Sequence, residues 1–526
     1  MSIENEKTIR PELAGMIKRH SYGLDENRPE AVAKRSQKHL RTARANVMEL
    51  CDEGGFIEYG ALAVAAQRGR RSEEDLIAKT PADGLIAGVG SVNEAVVEGD
   101  TRCMVMAYDY TVLAGTQGYF NHKKMDRMLK LANEQRLPLV LFAEGGGGRP
   151  GDVDAIGIMT AGLDLSTFAA FAGLSGHVPL VGVVSGPCFA GNAALLGCCD
   201  VIIATGNSNI GMGGPVMIEG GGLGVFKAEE IGPMNVQTQN GVVDILVADD
   251  TEAVAAARKY LSYFQGTATR WTTGDQLVLR ELIPENKRQP YDVRTVITAM
   301  ADTDSFLELR PAFGPGIVTG FIRVEGRPFG VIANNCMHMA GAIEAEGADK
   351  AARMMQLCQA HGLPILSLCD TPGFMVGPDM EKRAQVRHVC RMFVVGSHLT
   401  VPFFTLVLRR GYGLGVMAMS RGGFHEAFFT AAWPTGEFGA MGIDGAIKAG
   451  FKKELAAIED ETARNQLYNQ LVEELYKRGQ AMNMASYLEI DAVIDPAETR
   501  RWIIQGVKSA PREAFTKTCR PFVDPW

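Results

Sequence analysis

The sequence predicts an α/β protein of two homologous domains behind a helical lead-in, and three observations carry that prediction. Short Val-, Ile- and Ala-rich runs separated by glycine begin near Phe56. A long segment of the first half recurs in the second. Pro29 to Leu50 carries charged, helix-period patterning instead. At 526 residues the chain also exceeds what one hydrophobic core usually organises.

The repeat is specific. Lys124-Met-Asp-Arg-Met-Leu-Lys-Leu-Ala-Asn-Glu-Gln-Arg-Leu-Pro138 matches Lys350-Ala-Ala-Arg-Met-Met-Gln-Leu-Cys-Gln-Ala-His-Gly-Leu-Pro364 at a constant offset of 226. Each copy continues into an apolar strand and a turn-rich loop, Leu139 to Arg149 and Ile365 to Phe374. A second strand starts near Pro179 and Pro402 and ends in a glycine turn, Gly186 to Asn192 and Gly411 to Gly415, now at an offset of 223. Copies this large are too long for solenoid repeats and fit homologous strand-turn-helix domains. The polar stretch Gly266 to Pro290 reads as their junction, which divides the chain into 1–266 and 290–526. Phe451 to Met484 is charged and helical in pattern, either a surface helix or one that packs across a neighbour.

A net charge of -8 arises from mixed residues, so no extended basic surface for nucleic acid is expected. The ten cysteines include the adjacent pair Cys198 and Cys199 in an apolar run and read as buried thiols of a reducing compartment. Met1 to Arg10 lacks the apolar centre of an export signal, and no run approaches the roughly 18 apolar residues of a membrane span. A soluble cytoplasmic protein is the expectation.

Glycine permits positive φ and close backbone approach, and a turn that opens a helix leaves N–H groups without partners. Such amides can hold a developing oxyanion. A glycine turn that merely links strand to helix is the ordinary alternative, and recurrence at equivalent places in both halves favours the chemical one. No Gly-x-Ser-x-Gly elbow, phosphate loop or metal-ligating pattern is present. The nine histidines lack carboxylates at a telling spacing, His122, His338 and His425 included. Arg149, after Gly145 to Gly148, is a candidate either for anchoring a CoA or for holding its own loop.

Taken in order, Phe56-Ile-Glu-Tyr-Gly-Ala61, Gly145 to Arg149, Gly186-Pro-Cys188, Asp370-Thr-Pro-Gly-Phe374, Tyr412-Gly413 and Ala432-Trp-Pro-Thr-Gly-Glu-Phe-Gly-Ala-Met-Gly442 resemble the carboxyltransferase β subunits of propionyl-, acetyl-, methylcrotonyl- and long-chain acyl-CoA carboxylases. The resemblance extends from about Pro29 over nearly the whole chain. It implies two crotonase-like domains, acyl-CoA held mainly by the first, and biotin mainly by the second domain of a partnering subunit, typically in a homo-hexamer built as a trimer of dimers.

Carried over by motif, the amides of Ala190 and Gly191 face the thioester oxygen and those of Leu414 and Gly415 face the biotin ureido oxygen. Gly147, Gly148, Arg149 and Met417 border the substrates. The propionyl-type pattern has Gly-Gly in place of Ala190-Gly191, Gly-Ala in place of Leu414-Gly415 and an acidic residue in place of Met417. Together with the 432–442 segment, this tilts the expectation toward a medium or long acyl group.

No Met-Lys-Met biotinylation segment occurs, so the resemblance assigns the covalent biotin to a carrier subunit and the use of ATP and Mg to a biotin carboxylase. No metal is expected in this chain. A decarboxylase running the half-reaction backward and a non-catalytic CoA-binding scaffold are the competing readings.

Overall fold

The computed structural model describes residues 9–154, 164–511 and 522–526. The chain forms two compact units, Met1–Gln265 and Gly266–Asp524.

In the first unit, helices Pro29–Ser36 and Ala43–Leu50 precede the sheet, as the charged patterning predicts. Seven strands then line up in chain order: β1 (Ile57–Glu58), β2 (Leu85–Ser91), β3 (Arg102–Tyr108), β4 (Leu139–Phe142), β5 (Leu180–Val184), β7 (Val201–Thr205) and β9 (Ile245–Val247). The first three are antiparallel and the rest parallel. A separate parallel pair joins β6 (Pro187–Phe189) to β8 (Asn209–Gly211). Buried on both faces, the central strands read as unbroken apolar runs, as parallel sheets require. Met125, Met128, Leu129 and Ala132 of helix Tyr119–Gln135 pack onto Met104, Met106, Leu139 and Leu141.

The second unit repeats this plan. Strands β10 (Leu307–Leu309), β11 (Ile317–Val324), β12 (Arg327–Asn334), β13 (Ile365–Thr371), β14 (Phe403–Tyr412), β15 (Phe429–Ala432) and β17 (Ala492–Val493) form one sheet, with β16 (Glu437–Gly439) paired to the end of β14. Its core is filled by Val293, Val296 and Ile297 of one helix and Ile503 and Ile504 of another, against Val331, Leu366 and Phe404.

The 226-residue offset extends into the backbone. Helices Tyr119–Gln135 and Ala345–His361 start and stop at that spacing, and both end on a left-handed residue, Arg136 and Gly362. The kinked turns Leu113–Gly115 and Met339–Gly341 share their positive φ residues, Ala114 and Ala340. A Cβ on Gly115 would lie 2.5 Å from the Glu144 carbonyl and one on Gly341 2.3 Å from that of Asp370, so glycine is required twice for one reason.

The stretch 266–290 departs from the expected junction. It belongs to the second unit: Leu279 and Ile283 enter the core, and the carbonyls of Lys287 and Gln289 accept from Arg409 Nη1 at 3.2 and 2.9 Å. Its polar composition reflects carbonyl and side-chain pairing. The 451–484 region is helical over Lys452–Ala456, Glu461–Gly479 and Ala481–Ser486. The nine described cysteines are free thiols, most of them buried. No described helix is long and apolar enough to cross a membrane.

Lys124 and Lys350, the first residues of the repeat, are both buried. Lys124 Nζ donates to the carbonyls of Gly60, at 3.2 Å, and Leu85; Lys350 Nζ donates to those of Arg310 and Phe313, at 2.7 and 3.0 Å. Burial lowers the Lys124 ammonium to about 8, since the charged form loses hydration. Lys124→Met and Lys350→Met should each lower stability by about 1–3 kcal/mol, the effect of orphaning buried acceptors. Denaturant melts of both variants check this, and the shared geometry calls for similar losses.

Candidate active site

The strand ending at Phe189 passes into helix Gly191–Gly197 through Ala190, held at φ 52°, ψ −123°. That region is sparsely populated for a residue with a Cβ and stores roughly 1–3 kcal/mol of strain. The turn aims the helix N-terminus outward. Ala190 donates its own N–H to the Gly211 carbonyl at 3.2 Å, so it is not free to receive a ligand oxygen. The N–H of Gly191 has no acceptor among the described residues, as expected for the first residue of a helix. The expected donor pair Ala190 and Gly191 is thus corrected to Gly191 on this turn.

A second donor stands beside it. Gly147, at φ 84°, packs so tightly under the turn that a Cβ there would approach that of Ala190 to 2.6 Å and the Gly191 nitrogen to 3.4 Å. The Gly147 N–H is taken by Asn192 Oδ1 at 3.0 Å, whereas that of Gly148 has no acceptor among the described residues. Asn192, fully buried, also donates to the Gly115 carbonyl at 3.2 Å and so ties both loops to the helix. It was missed in the sequence, where an amide inside the apolar run Ala190 to Leu196 was the available signal.

Arg149, read as anchoring either a CoA or its own loop, is tied into its own loop. Only 4 % exposed, it donates to Asp83 Oδ1 at 2.6 Å and to the Thr116 carbonyl at 2.8 Å, with Asp152 at 3.4 Å. Such a buried guanidinium is committed to its carboxylates.

The second unit rebuilds the same turn. With β5 and β14 in step at 223, Ala190 corresponds to Gly413, which also has positive φ (58°), and Gly191 corresponds to Leu414. The two expected amide pairs are therefore out of step by one residue. Helix Gly413–Met419 leaves the N–H groups of Leu414 and Gly415 without described acceptors. Leu414 is 60 % exposed and Met417 is 37 % exposed. Gly415 abuts Gly373, where a Cβ would fall 2.7 Å from Cα and 3.2 Å from the Phe374 nitrogen. The Gly373 loop is held by Asp370, which accepts from Arg409 Nε at 3.0 Å and Arg410 Nε at 2.7 Å while buried. Tyr412, just before the turn, donates to Glu437 Oε1 at 2.9 Å.

Beside the first turn lies a cavity of about 1200 Å³ in the first unit. Its wall includes Lys34, Lys38, Arg35, Tyr110, Glu144 and Pro187. Pro187 lies three strand residues, roughly 10 Å, from Ala190. Arg35 is paired with Glu144 at 2.7 Å, but Lys34, in helix Pro29–Ser36, and Lys38, just past its end, make no ion pair among the described residues. They supply local positive charge in an acidic chain, a pairing the sequence did not single out.

The histidines do not assemble a base at either turn. His122 Nδ1 lies 3.0 Å from Thr167 Oγ1. His338 does have a carboxylate, contrary to the spacing argument: Nε2 lies 3.0 Å from Glu344 Oε1, brought near by the kinked turn at Met339–Gly341. His425 Nε2 meets the Leu488 carbonyl at 2.9 Å.

Both units thus carry a strand-to-helix turn whose first amides have no acceptor among the described residues. Residues 34–522 match the carboxyl transferase domain family, and the chain belongs to it. This is the family of carboxyltransferases of biotin-dependent carboxylases acting on acyl-CoA. The chain is 30% identical over 495 residues to the methylmalonyl-CoA carboxyltransferase 12S subunit of Propionibacterium freudenreichii, covering 91% of this chain and 90% of that one. It is 28% identical to the propionyl-CoA carboxylase beta chain of Saccharopolyspora erythraea, covering 95% and 93%. Among solved structures, a single-chain, multi-domain long-chain acyl-CoA carboxylase is 56% identical with a TM-score of 0.89; the match covers 95% of this chain and 49% of that one, so this chain spans about half its length. The hexameric transcarboxylase 12S core superposes with a TM-score of 0.81 at 27% identity, covering 98% and 97%. The two crotonase-like domains expected from the sequence agree with this match.

Glu144 supplies a pH test. Burial pushes its carboxyl up to about 7, against the opposing pull of Arg35. The folded value exceeds the ordinary carboxyl value of 4.5, so the stabilising contribution is complete below about 4.5 and is lost as pH rises through about 7. Glu144→Gln should flatten the pH dependence of stability between these values, read as melting temperature across a buffer series. An unchanged slope would mean that Glu144 is ionised throughout.

Proposed function

We propose that this chain transfers a carboxyl group from biotin on a partner carrier to the α-carbon of an acyl-CoA, with medium or long acyl chains preferred. The observation that carries the reading is the doubled turn: each unit presents free N–H groups at a helix start that follows a positive-φ residue. In the first unit, Gly191 and Gly148 are the donors for the thioester oxygen, whose negative charge grows as the α-proton leaves. Oriented backbone donors stabilise that charge without reorganising at the moment of reaction. The neighbouring cavity suits the phosphates of CoA through Lys34 and Lys38.

In the second unit, Leu414 and Gly415 suit the ureido oxygen of biotin: their N–H groups have no acceptor among the described residues and the Leu414 side chain is exposed. The N–C bond of carboxylated biotin breaks to release CO₂, the ureido enolate left behind takes the α-proton, and the acyl-CoA enolate attacks the CO₂, so the reaction calls for no dedicated side-chain base. Met417, on the same helix, borders one of the two substrates. ATP, Mg and biotin carboxylation belong to a biotin carboxylase and its carrier, and a homo-hexameric core is the assembly, by likeness to the transcarboxylase 12S hexamer. The preference for longer acyl groups is supported by the 56% identity to the long-chain enzyme.

Leu414→Pro is the cleanest test. Proline removes the N–H yet is tolerated in a first helical turn, and the exposed Leu414 side chain gives it room. At Gly415 any Cβ meets Gly373, so a variant there confuses chemistry with packing. Leu414→Pro should lose carboxyl transfer by ~10²–10³-fold while acyl-CoA affinity is kept, and Leu414→Ala, which keeps the N–H, should stay near wild type. Steady-state transfer from carboxylated carrier and calorimetry of acyl-CoA check both; a fully active proline variant overturns the biotin-side assignment. In the first unit, Lys34→Ala with Lys38→Ala should raise KM for acyl-CoA about tenfold or more with kcat little changed, measured on the same assay.

A further inference from the structure

The strand bearing Gly211 leads into a segment with unusual composition for a surface. Of the sixteen residues 211–226, seven are glycine and only Glu219 is charged. Met212, Val216, Met217, Leu223, Val225 and Phe226 are each 44–83 % exposed, and helix Pro215–Gly220 buries no residue at all. Contiguous exposed apolar surface of this kind marks a binding site.

The segment is rooted in the thioester-side turn. The carbonyl of Gly211 is the acceptor for the Ala190 N–H, a Cβ on Gly214 would lie 3.4 Å from the Phe189 ring, and the Ile210 N–H donates to the Gly232 carbonyl at 3.0 Å. A thioester oxygen at the Gly191 N–H therefore starts its acyl chain at the foot of this apolar segment. Glycine at seven positions, two of them (Gly222 and Gly224) at positive φ, gives a backbone able to adjust around chains of different length. An interface between rigid copies calls for fixed shape instead.

We propose that residues 212–226 are the seat of the acyl chain, with Val216, Leu223 and Val225 contributing the apolar contacts that select a long acyl group over a short one. This rests on the carboxyltransferase reading above and deepens it by naming what sets chain-length preference. No covalent step is involved; the segment acts on binding alone.

The test is calorimetry of the full chain with propionyl-CoA and decanoyl-CoA, for wild type and for Val216→Ser/Leu223→Ser/Val225→Ser, with mass by light scattering. These positions are exposed, so the triple variant should fold, and circular dichroism establishes that. Wild type should prefer decanoyl-CoA, and the variant should lower the decanoyl-to-propionyl affinity ratio by about 10–100-fold at unchanged mass. An unchanged ratio overturns the proposal, and so does a fall in assembly mass with the ratio retained, which would give the surface to a second copy. Failure of wild type to bind either acyl-CoA would instead overturn the functional reading itself; binding of both with no response to the substitutions overturns the acyl seat alone.

Discussion

The positive-φ residue between strand and helix, Ala190 in one unit and Gly413 in the other, is the constraint on which the remaining geometry depends. It bends the chain sharply enough that the next N–H groups point away from the sheet. The bend survives only because glycine loops lie under it at less than a Cβ's clearance, Gly147 below Ala190 and Gly373 below Gly415. Those loops in turn need buried charge to hold them: Arg149 with Asp83 in one case, Asp370 with Arg409 and Arg410 in the other. Removing one partner of such a pair leaves an uncompensated buried charge, a penalty of about 3–5 kcal/mol.

Much of this was legible in the sequence because periodicity and repetition are local properties. The match from Lys124 to Pro138 located a helix and its left-handed end in both units, and the apolar runs after Pro138 and Pro364 located the central parallel strands. Turns were legible as glycine clusters, but which amide is free was not. That depends on the Gly211 carbonyl, 21 residues beyond Ala190, and on a one-residue difference in where the two helices begin.

Charge pairing was the other blind spot. Arg35 and Glu144 are 109 residues apart, and Asp83 and Arg149 are 66 apart, so no spacing rule could connect them. For the same reason Arg149 beside four glycines read equally as a ligand anchor and as a holder of its own loop. The stretch 266–290 looked like a linker because Leu277, Val278, Leu279, Leu282 and Ile283 sit between polar runs without a sustained period, and the burial of Leu279 and Ile283 is a tertiary fact.

In the proposed reading the donors at both turns are main-chain N–H groups, which insulates the chemistry from most side-chain change. Leu414 carries a large exposed side chain and Ala190 a methyl group, and both turns keep their shape. Natural drift can therefore rework the walls that meet the acyl group without eroding the reaction. One scaffold can diversify into many chain-length specialists, and the positions closed to variation are the few glycines where a single methyl group would collide with backbone.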